Sequence, residues 1–353
     1  MTSRANQRSV RSILRSANTP KKLNILTCAT HERYEQNLCK TGHNFYSLSV
    51  GKTWDTDYGN IPENYHIIDN IPDYLDFDLI LAHTDCERLA GIHQYFSQTD
   101  DRSSNKTHIP ILRHNHVLPD VRFDIEQQKK ANVNPIVNFY TFISNYSRDQ
   151  WGFNENNSVV IEHGVDTDFW TTGNEKRDNV CLSVVNDWPN RDWCCGWNLW
   201  KHTVGMTGGS GTKAEPWQCE LPIRVFGKSP GLSVPAQSTE HLREIYQKSR
   251  IFYNTSLHSP VPTVLLEAMA CGCAIVSTAN CMIPDIIQHG VNGLISNDPR
   301  ELRSYLEMLL NNESIGKKLG ESARETIVKN YSLDRFLNSW NKAFDLATNL
   351  YRG

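Results

Sequence analysis

The chain has 353 residues and carries 36 Lys and Arg against 39 Asp and Glu, a formal net charge of −3. That length predicts about two to three ordinary domains. The charge balance excludes bulk affinity for polyanions, and no apolar run reaches the roughly 18 residues that a membrane-spanning helix needs.

The first 22 residues, "MTSRANQRSVRSILRSANTPKK", hold Arg4, Arg8, Arg11, Arg15, Lys21 and Lys22 and no acid. They read as a flexible tail or a short basic helix, suited to phosphates or to peripheral contact with an anionic membrane. They lack the apolar core of a secretory signal, so a cytoplasmic location is expected. "LNILTC" then reads as a buried strand, "ERYEQNLCKTG" as a helix ended by Gly42, and "HNFYSLSV" as the next strand. This βαβ opening predicts a parallel sheet. "FDLILAHTD" is a further strand with His83 at its carboxyl end, and "IPILRHNHVLP" repeats the pattern with His114 and His116. "IVNFYTFISNYSRDQWGF" predicts a strand, then Ser144 and a helix; "NSVVIEHGVDTDFW" a strand and a turn at Gly164.

The charged segment 171–179 reads as a linker, after which "VCLSVVN", "IRVFG", "RIFYNTS" and "CAIVST" supply a second set of strands. Helices are predicted at about 237–249 and 263–271, and again from about 299 to 350 with a break near "NYSLDRF". The fold class is therefore α/β, with two doubly wound, Rossmann-like halves. Ligands of such sheets bind beyond the carboxyl ends of the strands, so two facing sheets place a site in the cleft between them. His83 and His114 fall at those ends in the first half. Arg191, Gly227, Lys228 and the stretch Ser259–Glu267 fall there in the second.

"SPVPTVLLEAMACGCAIVST" (259–278) is the most informative stretch. "SPVPT" is a loop shaped by Pro260 and Pro262, and "VLLEAMA" opens a helix. A helix N-terminus offers free N–H groups and partial positive charge, a ready site for a diphosphate. Glu267, one turn in, would repel a phosphate but suits a pair of ribose hydroxyls. The alternative is a core helix whose buried Glu is paired elsewhere, since unpaired buried Glu is rare.

This segment, continued through "ANCMIPDIIQHGVNGLI", resembles the donor-binding segment of GT-B glycosyltransferases of family 4, which are retaining enzymes using nucleotide sugars. "KTGHNFYSL", "FDLILAHTD", "IEHGVDTDFW" and the closing helices from "NDPRELRSYLEMLL" to "NYSLDRF" are similar to further segments of that family, so the resemblance spans most of residues 23–340. It implies a GT-B architecture: a basic tail (1–22), an acceptor domain (23–172), a nucleotide-sugar donor domain (173–330) and a C-terminal helix (331–353) packing back on the first domain. It also implies roles. Glu267 would bind the donor ribose, and the backbone of Thr263, Val264 and Leu265 would meet the diphosphate. His83 would lie beside the transferred sugar, and Arg191 would neutralise the diphosphate, with Lys228 or Lys201 sharing that task.

The sequence departs from the family pattern in three places. Ser259 stands where the family has the first Glu of its E-x7-E motif, which touches the donor sugar. "ATHERYE" replaces the glycine-rich loop after the first strand, turning His31, Glu32 and Arg33 toward the cleft mouth as acceptor-binding candidates, with His114 and His116. His163 replaces the usual Asn of "NGVD".

The chemistry implied is departure of a nucleoside diphosphate, whose growing charge is stabilised by fixed donors, and attack by an acceptor hydroxyl from the same face. No protein nucleophile, resident cofactor or essential metal is expected, because "NDW" and "DTD" are poor metal motifs; His114 and His116, at i and i+2 on a strand end, could face one side and bind a metal, but the expected reading is that one lines the cleft and the other is structural. The ten cysteines contain no CxxC pair and read as buried thiols. "TVGMTGGSGTKAEP" fails the Walker pattern and reads as a long loop. The expected acceptor is a glycan or small molecule. Two other readings stay open: a phage-type transferase acting on hydroxylated DNA bases, and an inactive GT-B scaffold. Oligomeric state is not legible.

Overall fold

The computed structural model describes residues 21–28, 31–49, 54–56, 59–72, 74–83, 91, 109–208 and 217–349. The readings on residues 1–20 and on most of the glycine-rich loop, 209–216, lie outside them. The first sheet contains β1 (Asn24–Thr27), β2 (Asn44–Leu48), β3 (Tyr65–Ile68), β4 (Leu79–His83), β5 (Ile111–Asn115), β6 (Phe139–Phe142) and β7 (Ser158–Val160). Its seven strands run parallel in the order β3-β2-β1-β4-β5-β6-β7. The order reverses between β1 and β4, the kind of switch point at whose carboxyl ends open α/β sheets bind ligands. Helices α1 (Glu32–Cys39), α2 (Ile125–Asn132) and α3 (Asn145–Gln150) belong to this half. Ser144 caps α3 by accepting from the Ser147 N–H at 2.9 Å.

The second sheet contains β8 (Asp178–Val184), β9 (Ile223–Phe226), β10 (Ser249–Asn254), β11 (Ala274–Ser277) and β12 (Leu294–Ile295). They are parallel in the order β12-β11-β10-β8-β9. Its helices are α4 (Asp192–Cys195), α5 (Trp197–Val204), α6 (Thr239–Lys248), α7 (Thr263–Ala270), α8 (Ile283–Ile286), α9 (Pro299–Asn311) and α10 (Glu313–Asn330). The inner strands of both sheets are buried on both faces, which explains why "NILT" and "AIVS" read as continuous apolar runs. The expected α/β fold, two Rossmann-like domains facing a cleft, is what the chain adopts.

The sequence reading differs from the structure in detail. β8 begins at Asp178, inside the segment read as linker, because its exposed first residues, Asp178 and Asn179, are polar although they belong to the strand. β3, with one buried residue in four, and the two-residue β12 gave too little apolar signal to be seen.

The chain crosses back between domains after α10. The Val165 N–H donates to the Tyr331 carbonyl at 2.8 Å, and the last helix, α11 (Leu333–Asn349), returns to the first domain. There Phe336, Trp340, Ala343 and Phe344 share one core with Ile25, Leu38, Phe45, Leu79 and Leu112.

Candidate active site

A cavity of about 1660 Å³ lies between the two sheets, lined from the first domain by α1, the segment after β5 and residues 163–170, and from the second by the loop after β8, the start of α6 and the start of α7. α7 carries the central carboxylate. Its first residues, Thr263 and Val264, line the cavity, and Pro262 at its N-cap leaves their N–H groups uncapped by any side chain. Leu265, by contrast, is fully buried and its N–H donates to the Pro262 carbonyl, so it does not line the cavity. Of the three backbone positions expected at a diphosphate, two line the cavity.

The far end of α7 is held by arginines. Arg324 donates to the carbonyls of Ala270, Trp170 and Thr167, and Arg177 to those of Cys271, Tyr246 and Ser249. Cations at this terminus satisfy orphan carbonyls and complement the helix dipole. Gly272, at φ +76°, turns the chain into β11, and a Cβ on Gly320 of α10 would stand 2.3 Å from its carbonyl oxygen. Only glycine lets α10 approach so closely.

Glu267 is buried yet lines the cavity. Arg33 Nη1 of the first domain donates to its Oε1 at 2.8 Å, and the Tyr246 hydroxyl to Oε2 at 3.2 Å. Burial pushes the Glu267 carboxyl up, and Arg33 and Tyr246 oppose that shift. The pairing that the alternative reading anticipated is therefore present, and it spans the cleft. Two more contacts cross there: the Arg122 guanidinium lies 4.0 Å from the Trp193 ring centre, and His258 Nε2 donates to the Pro119 carbonyl at 2.9 Å.

Arg191, Ser259, His31 and His116 line the cavity. Arg191 is set by the loop after β8, where the Trp188 indole donates to the Cys195 carbonyl at 2.8 Å. Beside it the Cys194 thiol is pushed down, chiefly by its hydrogen bond with Cys195 and also by the Arg191 charge. Among the described residues every cysteine is a free thiol.

Four other candidates are not brought to the cavity. Lys228 is exposed outside it, with its N–H on Asn186 Oδ1. Glu32 turns into the first domain and accepts from the Asp55 N–H at 3.3 Å. His83 and His114 are buried behind the wall. Both nitrogens of His114 are engaged, Nε2 with the Tyr34 hydroxyl at 2.9 Å and Nδ1 with Thr141 Oγ1 at 2.8 Å. That leaves no lone pair for a metal shared with His116, which has left the strand and turned to the cavity. Among the described residues no group of three or more His, Cys, Asp or Glu could hold a metal ion.

Tyr246, Trp170, Trp193 and Glu35 escaped the sequence reading. Tyr246 lies among Leu242 and Ile245 on the apolar face of α6, where nothing marks it off from a core aromatic. Glu35 carried a usable signal: it falls on the buried face of α1 with Tyr34, Leu38 and Cys39, a place where a carboxylate requires a partner.

Residues 229–326 match the family model described as "Glycosyl transferases group 1". This segment is a glycosyl transferases group 1 domain in a GT-B fold. The domain contains Ser259, the whole of α7 and the β10–β11 crossover. The chain is 27% identical over 107 residues to the N-acetyl-alpha-D-glucosaminyl L-malate synthase of Bacillus anthracis, covering 30% of this chain and 28% of that protein. It is 27% identical over 99 residues to the alpha-maltose-1-phosphate synthase of Mycobacterium tuberculosis, 26% of each. These matches span less than a third of either relative. In fold the domain's chain superposes on a glycosyltransferase from Rickettsia africae with a TM-score of 0.66 at 16% identity, over 93% of this chain and 99% of that one. Anabaena Alr3699/HepE, solved with UDP-glucose, gives 0.66 at 14% identity, over 92% and 99%. Among the described residues no helix is long and apolar enough to cross a membrane.

Proposed function

We propose that this protein is a retaining glycosyltransferase that takes its sugar from a nucleoside diphosphate sugar and delivers it to a hydroxyl of a glycan or small molecule. The observation that carries this reading is the placing of Glu267 at the cavity wall, one turn behind the open N-terminus of α7. The diphosphate sits on the N–H groups of Thr263 and Val264 with Arg191 beside it, where developing negative charge is stabilised as the sugar bond breaks. The ribose hydroxyls reach Glu267, and Arg33 gives up its place there as they bind. A cavity of about 1660 Å³ exceeds the roughly 300–1,000 Å³ of a single-ligand site and holds donor and acceptor together. The group 1 domain match and the UDP-glucose complex of Anabaena HepE support a nucleotide-sugar donor.

The test is to incubate the full chain with nucleoside diphosphate sugars and follow release of nucleoside diphosphate, with the anomeric configuration of any product read by NMR. Turnover with retained configuration is expected. An inverted product would overturn the retaining mechanism. One observation favours a second reading, an inactive binding protein: Ser259 replaces an acid and both oxygens of Glu267 are engaged. Tight nucleotide-sugar binding without turnover would select it.

A further inference from the structure

Arg191, Cys194 and Cys195 line the cavity together on the donor-domain side. The two cysteines are adjacent in the short helix α4, and neither takes part in the proposed transfer. Their sulfurs lie 3.6 Å apart and are hydrogen-bonded to each other. The bond with Cys195 holds the Cys194 thiol down; burial opposes this, and the charges of Arg191 and Arg122 add to the lowering. The same bond, with burial, pushes the Cys195 thiol up, so Cys195 keeps its proton. A thiol that ionises readily, faces a cavity and touches a second thiol is an arrangement in which one sulfur is oxidised and its neighbour resolves the product.

The peptide that joins the two cysteines also holds the loop leading into α7. Its carbonyl, that of Cys194, accepts from the N–H groups of Leu257 at 2.8 Å and His258 at 3.1 Å. The residues that follow, Ser259 to Pro262, run directly to Thr263 at the start of α7. There is no slack between α4 and this turn. Gly196 closes α4 at φ +65°, and a Cβ there would stand 2.2 Å from the Thr255 carbonyl oxygen. Consecutive Cα atoms are about 3.8 Å apart, whereas disulfide-linked Cα atoms usually stand about 4.4–6.8 Å apart. A bond between the two sulfurs therefore strains the peptide between them, and strained disulfides are the easily reduced ones.

We propose that Cys194 and Cys195 are a reversible oxidative modification site, at which a hydroperoxide closes a Cys194–Cys195 disulfide that turns the Cys194 carbonyl away from Leu257 and His258 and so displaces the start of α7. In the first step the Cys194 thiolate attacks one peroxide oxygen. The O–O bond breaks, a sulfenic acid forms on Cys194, and the other oxygen leaves as water or alcohol with the proton that Cys194 gave up. In the second step the Cys195 sulfur attacks the Cys194 sulfur. The S–S bond forms, the S–O bond breaks, and the hydroxyl leaves as water with the Cys195 proton. The two sulfurs lose two electrons to the peroxide, and a dithiol returns them. The consequence for the donor rests on the glycosyltransferase reading; the disulfide itself does not.

The test treats the full chain with a small excess of hydrogen peroxide and then with dithiothreitol. The tryptic peptide 192–201, cut after Arg191 and Lys201, contains these two cysteines and no others, so its mass reports the bond directly. It is expected to lose two hydrogens, to resist alkylation, and to recover both properties on reduction. Uridine diphosphate is titrated into the reduced and the oxidised protein in parallel. Oxidation is expected to weaken binding by roughly tenfold or more, the scale of the two hydrogen bonds lost, and reduction to restore it. In Cys194→Ser, peroxide is expected to leave the affinity where it was. A peptide that stays a dithiol, or that only gains oxygen, overturns the proposal. So does a disulfide that leaves the wild-type affinity unchanged, or a Cys194→Ser variant that weakens on oxidation as much as the wild type. If the disulfide forms but the reduced protein binds no nucleoside diphosphate, the donor reading fails and the modification site stands.

Discussion

At the scale of single residues, this molecule places ionisable side chains where burial decides their state. Burial pushes His83 down to about 3 and His163 to about 4, and holds His114 and His116 well below the ordinary 6.5. The unfolded chain therefore binds protons that the folded chain refuses. Stability is fully present above about pH 6.5 and is lost as the pH falls toward 4. Each such histidine contributes a slope of about 1.4 kcal/mol per pH unit in that window. Urea unfolding between pH 7.5 and 4.5 should follow it, and a flat profile would show that these rings titrate normally. Tyr246 offers a second check. Tyr246→Phe removes the donor to Glu267 Oε2 and should cost about 1.5–3 kcal/mol, because the acceptor is charged and buried. A loss under half a kcal/mol would mean that the contact contributes little.

At the scale of elements, α7 was legible because its chemistry is local. A loop with two prolines, an apolar helix with one acid, and a glycine turn all lie within twenty residues. The partners of Glu267 were not legible, since Arg33 is 234 positions away and no periodicity reports a contact across a cleft. His83 and His116 illustrate the same limit. Both close an apolar strand run, and only the packing of α1 decides that His83 points inward to Glu35 while His116 reaches the cavity. The clamp on the far end of α7 was equally hidden, although it fixes where the helix N-terminus stands. Arg324→Ala frees three carbonyls at once and is expected to destabilise the protein by about 1.5–3 kcal/mol in urea unfolding. An unchanged midpoint would assign the clamp no role in stability.

At the scale of the whole molecule, the two sheets are tied twice, by the segment around residues 165–177 and by the return of α11. The second tie is concrete in Trp340, which is fully buried among residues of the first domain and donates to Tyr34. Trp340→Ala should cost about 3–5 kcal/mol and loosen the wall behind the cavity. The cross-cleft contacts Arg33–Glu267, Arg122–Trp193 and His258–Pro119 join the two domains across the cavity. The claim at the centre of this account is that Glu267 and the start of α7 bind the nucleoside diphosphate part of a donor. Isothermal titration of nucleoside diphosphates into the wild type and Glu267→Ala tests it most directly. Binding by the wild type and its loss in Glu267→Ala is the predicted result; no binding by either, or equal binding by both, would contradict it.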